Sequence, residues 1–388
     1  MSRIDRLLGS LSGREVQHMA LGDVGTVVRG KRFVKDDMQD AGVPCIHYGE
    51  IYTKYGVSAT ESFSFVSEDR AKTLRFAEPG DVILVSAGEA IEDIGKSVAW
   101  LGDEPIAIHD ACYAFSSAMD PRFVSYFFAS RGFRDQIRQK ISSSKISSIS
   151  TRAVASARIP VPPLEVQREI SRILDDFTEL EAELEAELEA RREQYVAYSG
   201  TLLNFGHSGQ VRRAPMGEVA EFRRGSAITA RQTKPGVIPV VANGPKPSLF
   251  HNVSNRTGET VVIARSGAYA GLVSYWDQPI FLTDAFSIHP DLEILRPRFV
   301  YHWLRTEQAS LHSMKKGAGV PHVRVKEVEQ RFIPVPTIAE QVRILEILDN
   351  FDALVNDLSI GLPAELAARR TQYEYYRDKL LTFEELMA

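Results

Sequence analysis

A string of nineteen residues occurs twice in this chain of 388 residues, and it constrains the fold more than any other feature. The first copy, IPVPPLEVQREISRILDDF, covers residues 159–177, and the second, IPVPTIAEQVRILEILDNF, covers residues 333–351. Ten of the nineteen positions are identical at a constant offset of 174 residues. A match of this length at a fixed offset indicates an internal duplication.

Each copy opens a segment with the apolar periodicity of a long helix. In the first segment Ile170, Ile173, Leu174 and Phe177 recur at three- and four-residue spacing, which predicts a helix packed along one face. The prolines of each string predict the helix N-terminus. We expect each helix to extend for about 38–45 residues, or roughly 55–65 Å.

A second repeat lies further along both segments, as ARREQY at 190–195 and ARRTQY at 368–373. Its offset is 178 rather than 174 residues, so the second segment has four extra residues. Pro363 lies where they are inserted, and a proline in a helix interior predicts a kink or a break.

The blocks that precede the two segments also match. LGDVGTVVRGK (21–31) aligns with MGEVAEFRRGS (216–226), and GDVILVSAG (80–88) aligns with GETVVIARSG (258–267). Short β-branched runs broken by Gly, Pro, Asn and Asp predict strands and tight loops. The predicted fold is α+β, with two similar globular α/β domains separated by two long helices that form an antiparallel coiled coil with pseudo-twofold symmetry. The predicted division is 1–158, 159–206, 207–332 and 333–388.

Charge is segregated along the chain, although the net charge is only -5. Residues 159–205 carry -7 and residues 206–332 carry +7, whereas residues 1–158 are neutral. A basic block of this kind favours attraction to phosphates.

Motifs for catalysis are missing from the sequence. It contains no GxxxxGK[ST], GxGxxG or GxSxG motif, no Asn/Asp-Pro-Pro-aromatic motif, and no histidines paired at metal-ligand spacing. Cys45 and Cys112 form no metal or disulfide pattern, and no apolar run approaches membrane-spanning length. We therefore expect a cytoplasmic binding protein without catalytic residues, metal or cofactor.

The two strings resemble the I-P-hydrophobic-P-P-L-x-x-Q-x-x-I signature that opens the helices of specificity subunits of type I restriction-modification enzymes, with Thr337 replacing one proline. GDVILVSAG and GETVVIARSG resemble a strand and loop of their target recognition domains. The resemblance implies that each globular domain reads one half of a bipartite, asymmetric double-stranded DNA site and that the helices set the spacing. It also implies docking of two methyltransferase subunits, which would carry S-adenosylmethionine, and of restriction (motor-nuclease) subunits where these exist.

Basic, amide and aromatic residues in the globular blocks are candidates for DNA contacts. They are Arg29, Lys31, Arg32, His47, Tyr48, Lys54, Tyr55, Lys140, Lys145, Arg223, Arg224, Arg231, Lys234, Asn243, Lys246, Arg265, Lys315, Lys316, His322 and Arg324. We expect His47, Tyr48 and Asn243 to read bases. We expect Lys140, Lys315 and Lys316 to contact phosphates. The candidates for partner binding are Arg191, Arg192, Tyr195, Arg369, Arg370 and Tyr373.

Three other interpretations remain open. The chain could be a self-contained DNA methyltransferase or nuclease, which the missing motifs disfavour. It could be a coiled-coil scaffold without a DNA role, which leaves the basic block unexplained. The helices could also pack only against each other, with a solvated glutamate face and no partner.

Overall fold

The computed structural model describes residues 15–143, 146–205, 211–247, 249–314, 322–356 and 361–385. The chain divides into two compact units. Unit 1 comprises Met1–Glu183 and Leu366–Ala388, and unit 2 comprises Leu184–Glu365. Each unit therefore combines one globular block with parts of both helical segments.

Short elements dominate the globular blocks, and long helices follow them. The helices are α1 (Leu21–Val24), α2 (Tyr48–Ile51), α3 (Glu68–Ala71), α4 (Pro121–Ala129), α5 (Arg131–Arg138), α6 (Thr151–Ala155), α7 (Leu164–Leu203), α8 (Met216–Val219), α9 (Pro297–Thr306), α10 (Gln308–Ser313), α11 (Val325–Glu329), α12 (Ile338–Asn356) and α13 (Leu362–Leu380). The strands are β1 (Glu15–Val16), β2 (His18–Ala20), β3 (Gly25–Arg29), β4 (Met38–Gln39), β5 (Val43–Ile46), β6 (Ser58–Ala59), β7 (Ser64–Val66), β8 (Phe76–Ala77), β9 (Val82–Val85), β10 (Ala87–Gly88), β11 (Ser97–Trp100), β12 (Ile106–Ile108), β13 (Cys112–Ser117), β14 (Ser147–Ser148), β15 (Arg158–Pro160), β16 (Arg212–Pro215), β17 (Ala220–Arg224), β18 (Ile238–Val241), β19 (Leu249–His251), β20 (Glu259–Ala264), β21 (Val273–Asp277), β22 (Phe281–Leu282), β23 (Ala285–Pro290), β24 (Phe332–Val335) and β25 (Glu384–Glu385).

Two sheets form the globular part of unit 1. The first has the strand order β3-β13-β9-β11-β6, and the second has the order β4-β7-β5-β12-β8. All four residues of β9 are buried, and α4 packs on β9 and β11 with Phe123, Tyr126 and Phe128 in the core. The apolar run VILV is thus the centre of the hydrophobic core of this unit.

The described residues of unit 2 repeat this topology with shorter sheets. Its sheets have the orders β17-β23-β20-β21 and β19-β18-β22, which correspond to β3-β13-β9-β11 and β7-β5-β12. The pair β18–β22 is parallel, as is β5–β12, and α9 packs on β20 and β21 as α4 does on β9 and β11. The structure therefore confirms the two similar globular domains expected from the sequence.

The first proline of each string, Pro160 or Pro334, lies in a strand, and the later prolines lie between that strand and the helix. β15 pairs with β2 and β24 pairs with β16, and α7 and α12 begin a few residues later. Helix α7 has 40 residues, within the expected length. The second segment forms α12 and α13, and Pro363 lies in the first turn of α13. The expected interruption near Pro363 is confirmed.

The glutamine common to both strings anchors each helix to its globular block. Gln167 Oε1 accepts a hydrogen bond from the Asp120 amide at 2.9 Å, and its Nε2 donates to the Pro162 carbonyl at 2.8 Å. Gln341 makes the equivalent bonds with the Arg296 amide (2.8 Å) and the Pro336 carbonyl (2.9 Å). Both glutamines are buried, so they satisfy backbone groups that water does not reach.

The aspartate common to both strings adds a second tie. Arg122 Nη1 lies 2.7 Å from Asp175 Oδ2 in unit 1, and Arg298 Nε lies 2.6 Å from Asp349 Oδ1 in unit 2. These arginines belong to the repeated PRFV sequence at the start of α4 and α9. The PRFV motif and the repeated string are therefore joined by an equivalent ion pair in both units.

The two helical segments pack side by side within each unit. In unit 1, Phe177 of α7 stacks on Tyr376 of α13 at 5.7 Å, and Glu181 accepts a hydrogen bond from Arg370 at 2.6 Å. Residue numbers rise along one segment as they fall along the other, so these segments run antiparallel. In unit 2, Tyr198 of α7 stacks on Phe351 of α12 at 5.6 Å.

Candidate nucleic-acid interface

A groove of about 650 Å³ opens in unit 1 where the loops after β3, β5 and β12 meet β10. Four candidates from the sequence lie along it, namely Arg29, Arg32, His47 and Tyr48. Lys35 and His109 also line it, and the sequence analysis did not select them. Residues from separate loops are therefore brought together on one face.

Aromatic rings cluster in this groove. The ring centroid of His47 lies 4.3 Å from that of Tyr48 and 4.5 Å from that of His109, and Phe33 meets His109 edge-on at 5.2 Å. Burial and the neighbouring His109 lower the pKa of His47 from 6.5 to about 4. Burial also lowers the pKa of His109. Neutral imidazoles can both donate and accept hydrogen bonds, which suits base edges better than phosphates.

The cations that line the groove are exposed. Arg29 is 57% exposed, and its Nε donates to the Asp110 carbonyl at 2.8 Å. Lys31, Arg32 and Lys35 follow on the same stretch of chain and are exposed. This arrangement places positive charge beside the neutral rings.

Lys54 and Tyr55 support the loop that carries His47. Lys54 Nζ lies 3.0 Å from the buried Glu50, which also accepts a hydrogen bond from the His47 amide at 3.0 Å. The Tyr55 hydroxyl accepts a hydrogen bond from the Phe63 amide at 3.1 Å. Both side chains are therefore engaged in contacts that shape the loop.

Lys140 and Lys145 complete the candidates of this unit. Lys140 is exposed, donates to Ser156 Oγ at 2.8 Å and does not line the groove. Lys145 lies outside the described residues.

In unit 2 the candidates Asn243, Arg265 and His322 converge on one cluster. Arg265 donates to Asp284 Oδ1 from Nε at 3.0 Å and from Nη2 at 2.8 Å. Ser266 donates to the other oxygen of Asp284 and accepts a hydrogen bond from Asn243 Nδ2 at 3.4 Å. His322 forms a β-bridge with Ser266. Asp284 was missed in the sequence, although the pair Asp-Ala recurs at 110–111 and 284–285 with the offset of the repeated string.

The other candidates of unit 2 are surface residues. Arg223 and Arg224 end β17, and Arg223 pairs with Glu221. Four further candidates are exposed: Arg231, Lys234, Lys246 and Arg324. Lys315 and Lys316 lie outside the described residues.

The arginines of the ARREQY and ARRTQY repeats occupy equivalent surface positions. Arg191 Nη1 donates to Gln194 at 3.0 Å, and Arg369 Nη1 donates to Gln372 at 3.4 Å. Arg192 lies 3.8 Å from Glu189. Arg370 pairs with Glu181 within unit 1.

The tyrosines of these repeats point inward. Tyr195 is only 6% exposed, and its hydroxyl lies 2.9 Å from Nδ1 of His302. Tyr373 is half-buried beside Phe177, and burial raises its pKa to about 12. These contacts tie the helices to their own units and leave little tyrosine surface for another chain.

Features of other protein classes were sought among the described residues. That part of the chain holds no group of three or more His, Cys, Asp or Glu side chains placed to bind a metal ion. Among the helices described there, none has both the length and the apolar character needed to cross a membrane.

The model of the type I restriction modification DNA specificity domain matches the chain twice, over residues 13–190 and 212–368. The chain belongs to the family of type I restriction-modification specificity subunits. It is therefore a non-catalytic subunit that recognises DNA sequence through two target recognition domains, and the alternative of a self-contained enzyme is not favoured.

Similarity to individual proteins extends over nearly the whole chain. The EcoR124I/EcoR124II specificity subunit of Escherichia coli is 27% identical, over 99% of this chain and 98% of the relative. A putative specificity subunit of Haemophilus influenzae is 26% identical, over 96% and 97%. The S subunit of M. genitalium has the same fold, with a TM-score of 0.60 at 16% identity, covering 97% of this chain and 98% of that one.

Proposed function

We propose that units 1 and 2 of this specificity subunit each read one half of a bipartite, asymmetric DNA site. The observation that carries the proposal is the repeated sheet topology, which brings candidate side chains to equivalent loops in both units. Tyr48 directly precedes Gly49 after β5, and Asn243 directly precedes Gly244 after β18. One fold used twice suits a partner with two half-sites.

Within each half-site we assign two kinds of contact. His47 and Tyr48 in unit 1 and Asn243 in unit 2 read base edges, because they offer neutral donors and acceptors. Phosphate contacts come from cations of the two globular blocks, namely Arg29, Lys31, Arg32, Lys140, Lys145, Arg223, Arg224, Arg231, Lys234, Lys246, Lys315, Lys316 and Arg324. The charge of +7 on residues 206–332 supports this assignment for unit 2.

The helical segments have two further roles in this proposal. They set the length of the unread gap between the half-sites. They also dock two methyltransferase subunits, which hold S-adenosylmethionine and carry out methyl transfer, and restriction subunits where the system includes them. The exposed arginines at equivalent positions of α7 and α13 support two equivalent docking sites.

The test is a map of methylated adenines made by this chain together with its methyltransferase partner, in a host without other adenine methylation. We expect one motif with two specified parts and a gap of fixed length. Tyr48→Ala should relax one part, and Asn243→Ala should relax only the other, each by about 1–3 kcal/mol. An undivided motif would contradict the proposal.

The purified chain alone provides the matching control. With DNA, magnesium and S-adenosylmethionine it should neither methylate nor cleave. Either activity would favour a self-contained methyltransferase or nuclease instead.

A further inference from the structure

Asp284 holds the side chain of Arg265 at a defined place in unit 2. One carboxylate oxygen accepts both Nε–H (3.0 Å) and Nη2–H (2.8 Å) of Arg265. The other oxygen accepts the hydroxyl of Ser266. With both oxygens bonded, the carboxylate has a single orientation, and so does the arginine edge that it holds.

The opposite end of the guanidinium remains available. Arginine has five N–H donors, and the contact with Asp284 uses two of them. Within the described part of the chain the guanidinium of Arg265 hydrogen-bonds Asp284 alone, and the side chain is 45% exposed. The outward Nη1 and Nη2 donors form a fork that fits O6 and N7 of guanine.

The position of this cluster follows from the duplication. Tyr48, Ala87 and Asp110 line the groove of unit 1. Strand β18 begins 195 residues after β5, and at this offset Tyr48 corresponds to Asn243. At the offset of 174 residues of the repeated string, Asp110 corresponds to Asp284. Ala87 corresponds to Ser266, because Ala87 bridges Ser148 as Ser266 bridges His322. The cluster thus occupies in unit 2 the face that forms the groove in unit 1.

The aspartate also decides between a phosphate and a base as the ligand. Asp284 neutralises the charge of Arg265, so the pair attracts a phosphate much less than an unpaired arginine would. A guanine edge is uncharged and offers two acceptors at the spacing of the fork. The pair is therefore suited to a base.

We propose that Asp284 is a positioning residue that aims Arg265 at a guanine in the half-site read by unit 2. The inference rests on the proposed function and adds the base and the two residues that recognise it. In the described part of unit 1, Ser86 stands where unit 2 has Arg265, since the Ser86 carbonyl accepts the Ile149 amide as the Arg265 carbonyl accepts the Val323 amide. Arg29 reaches Asp110 from β3 instead: it donates to the backbone carbonyl, and its Nη2 lies 4.0 Å from the carboxylate.

The experiment compares Arg265→Lys, Asp284→Asn and the double variant, each assembled with the methyltransferase partner. Binding is measured on oligonucleotides that carry each base in turn at every position of the half-site. Arg265→Lys should reduce discrimination for one guanine by about 10- to 100-fold. Asp284→Asn should reduce it at the same position by a smaller factor, and the double variant should be no worse than Arg265→Lys alone.

Asp110→Asn is the matched control, since it changes the equivalent aspartate of unit 1 and should leave this guanine preference intact. Loss of affinity for all sequences alike in Asp284→Asn, without a change at one base, would mean that Asp284 only braces its turn, and the inference would fall. Arg265→Lys keeps the positive charge and leaves the hydrogen bond between Ser266 and Asp284 unchanged. It therefore tests the guanine contact even if Asp284→Asn unfolds at a lower temperature.

The outcomes also separate this inference from the proposal beneath it. A wild-type complex that methylates a two-part motif, with guanine preference unchanged in Arg265→Lys, overturns the inference alone. A wild-type complex without a two-part motif overturns the proposed function.

Discussion

At the scale of single residues, two glycines explain part of the weak similarity between the globular blocks. A Cβ atom on Gly30 would lie 2.2 Å from the His109 carbonyl oxygen, and one on Gly225 would lie 1.9 Å from that of Thr283. Both glycines follow an arginine at the end of an edge strand, β3 or β17. Only glycine allows this approach, so Arg-Gly recurs where the chain enters the candidate interface.

The imidazole of His47 makes acid stability a residue-scale test. Its folded pKa of about 4 lies below the ordinary value of 6.5, so between these pH values the unfolded state binds a proton that the folded state does not. The free energy of unfolding should therefore be highest above pH 6.5 and fall as the pH is lowered towards 4. His47→Asn should remove part of this fall, since asparagine keeps the acceptor that caps α2 but does not titrate in this range.

Urea unfolding of both proteins at several pH values measures the difference. His109→Asn is the companion variant, because burial also lowers the pKa of His109 and this ring should account for part of the remaining slope. Identical slopes for wild type and His47→Asn would refute the assignment.

Chemical type alone selects some candidate residues, whereas others emerge only from the geometry. Arginines and an asparagine in loops are recognisable as candidates, and Arg265 and Asn243 were selected in this way. Asp284 and His109 were not selected, because their place beside other candidates depends on which loops meet in space. Composition alone likewise could not show that Tyr195 is turned inward to His302.

At the scale of elements, the buried glutamines provide a direct test of how each long helix is joined to its unit. Gln167→Leu would leave the Asp120 amide and the Pro162 carbonyl without a hydrogen-bond partner. Gln341→Leu would leave the Arg296 amide and the Pro336 carbonyl without one. Each change should lower the free energy of unfolding by about 1–3 kcal/mol, the cost of burying unpaired polar groups.

Denaturant unfolding followed by circular dichroism measures this loss. Gln139→Leu is the control, because Gln139 is exposed at the end of α5 and should change stability by less than about 0.5 kcal/mol. Losses in the two buried variants no larger than in Gln139→Leu would show that the glutamines do not anchor the helices.

Periodicity predicted the long helices well, and they begin at or just after the last proline of each string, but the strand formed by the start of each string was not expected. Proline fits both the first turn of a helix and an edge strand, so IPVP alone does not distinguish them. β15 and β24 become strands because β2 and β16, far away in the sequence, pair with them. Pro363 was informative because it lies within an otherwise helical pattern, where it can only interrupt or begin a helix.

At the scale of the whole molecule, each compact unit is assembled from parts that lie far apart in the sequence. Each unit takes one globular block and pieces of both helical segments. The order of segments along a chain does not specify which segments pack together, because packing depends on contacts between distant residues. The repeat does place the ARREQY and ARRTQY sequences once in each unit, so we expect two equivalent docking sites.

The docking prediction follows from this equivalence. Reversing the charges of Arg191 and Arg192 to glutamate should weaken binding of the methyltransferase by at least roughly tenfold, since like charges placed against a complementary partner surface are repelled.

The control is Arg168→Glu with Arg172→Glu, which makes the same change of charge on the same helix outside the ARREQY repeat. Arg172 forms an exposed ion pair with Glu169, which matches the loss of the Arg192–Glu189 pair, and the additional Arg191–Glu187 pair is exposed and contributes little. Sizing chromatography with titrated methyltransferase should show one of two copies lost from the assembly, and the second should be lost when Arg369 and Arg370 are reversed as well. Equal assembly of both double variants would mean that the arginines serve only the surface of the helix.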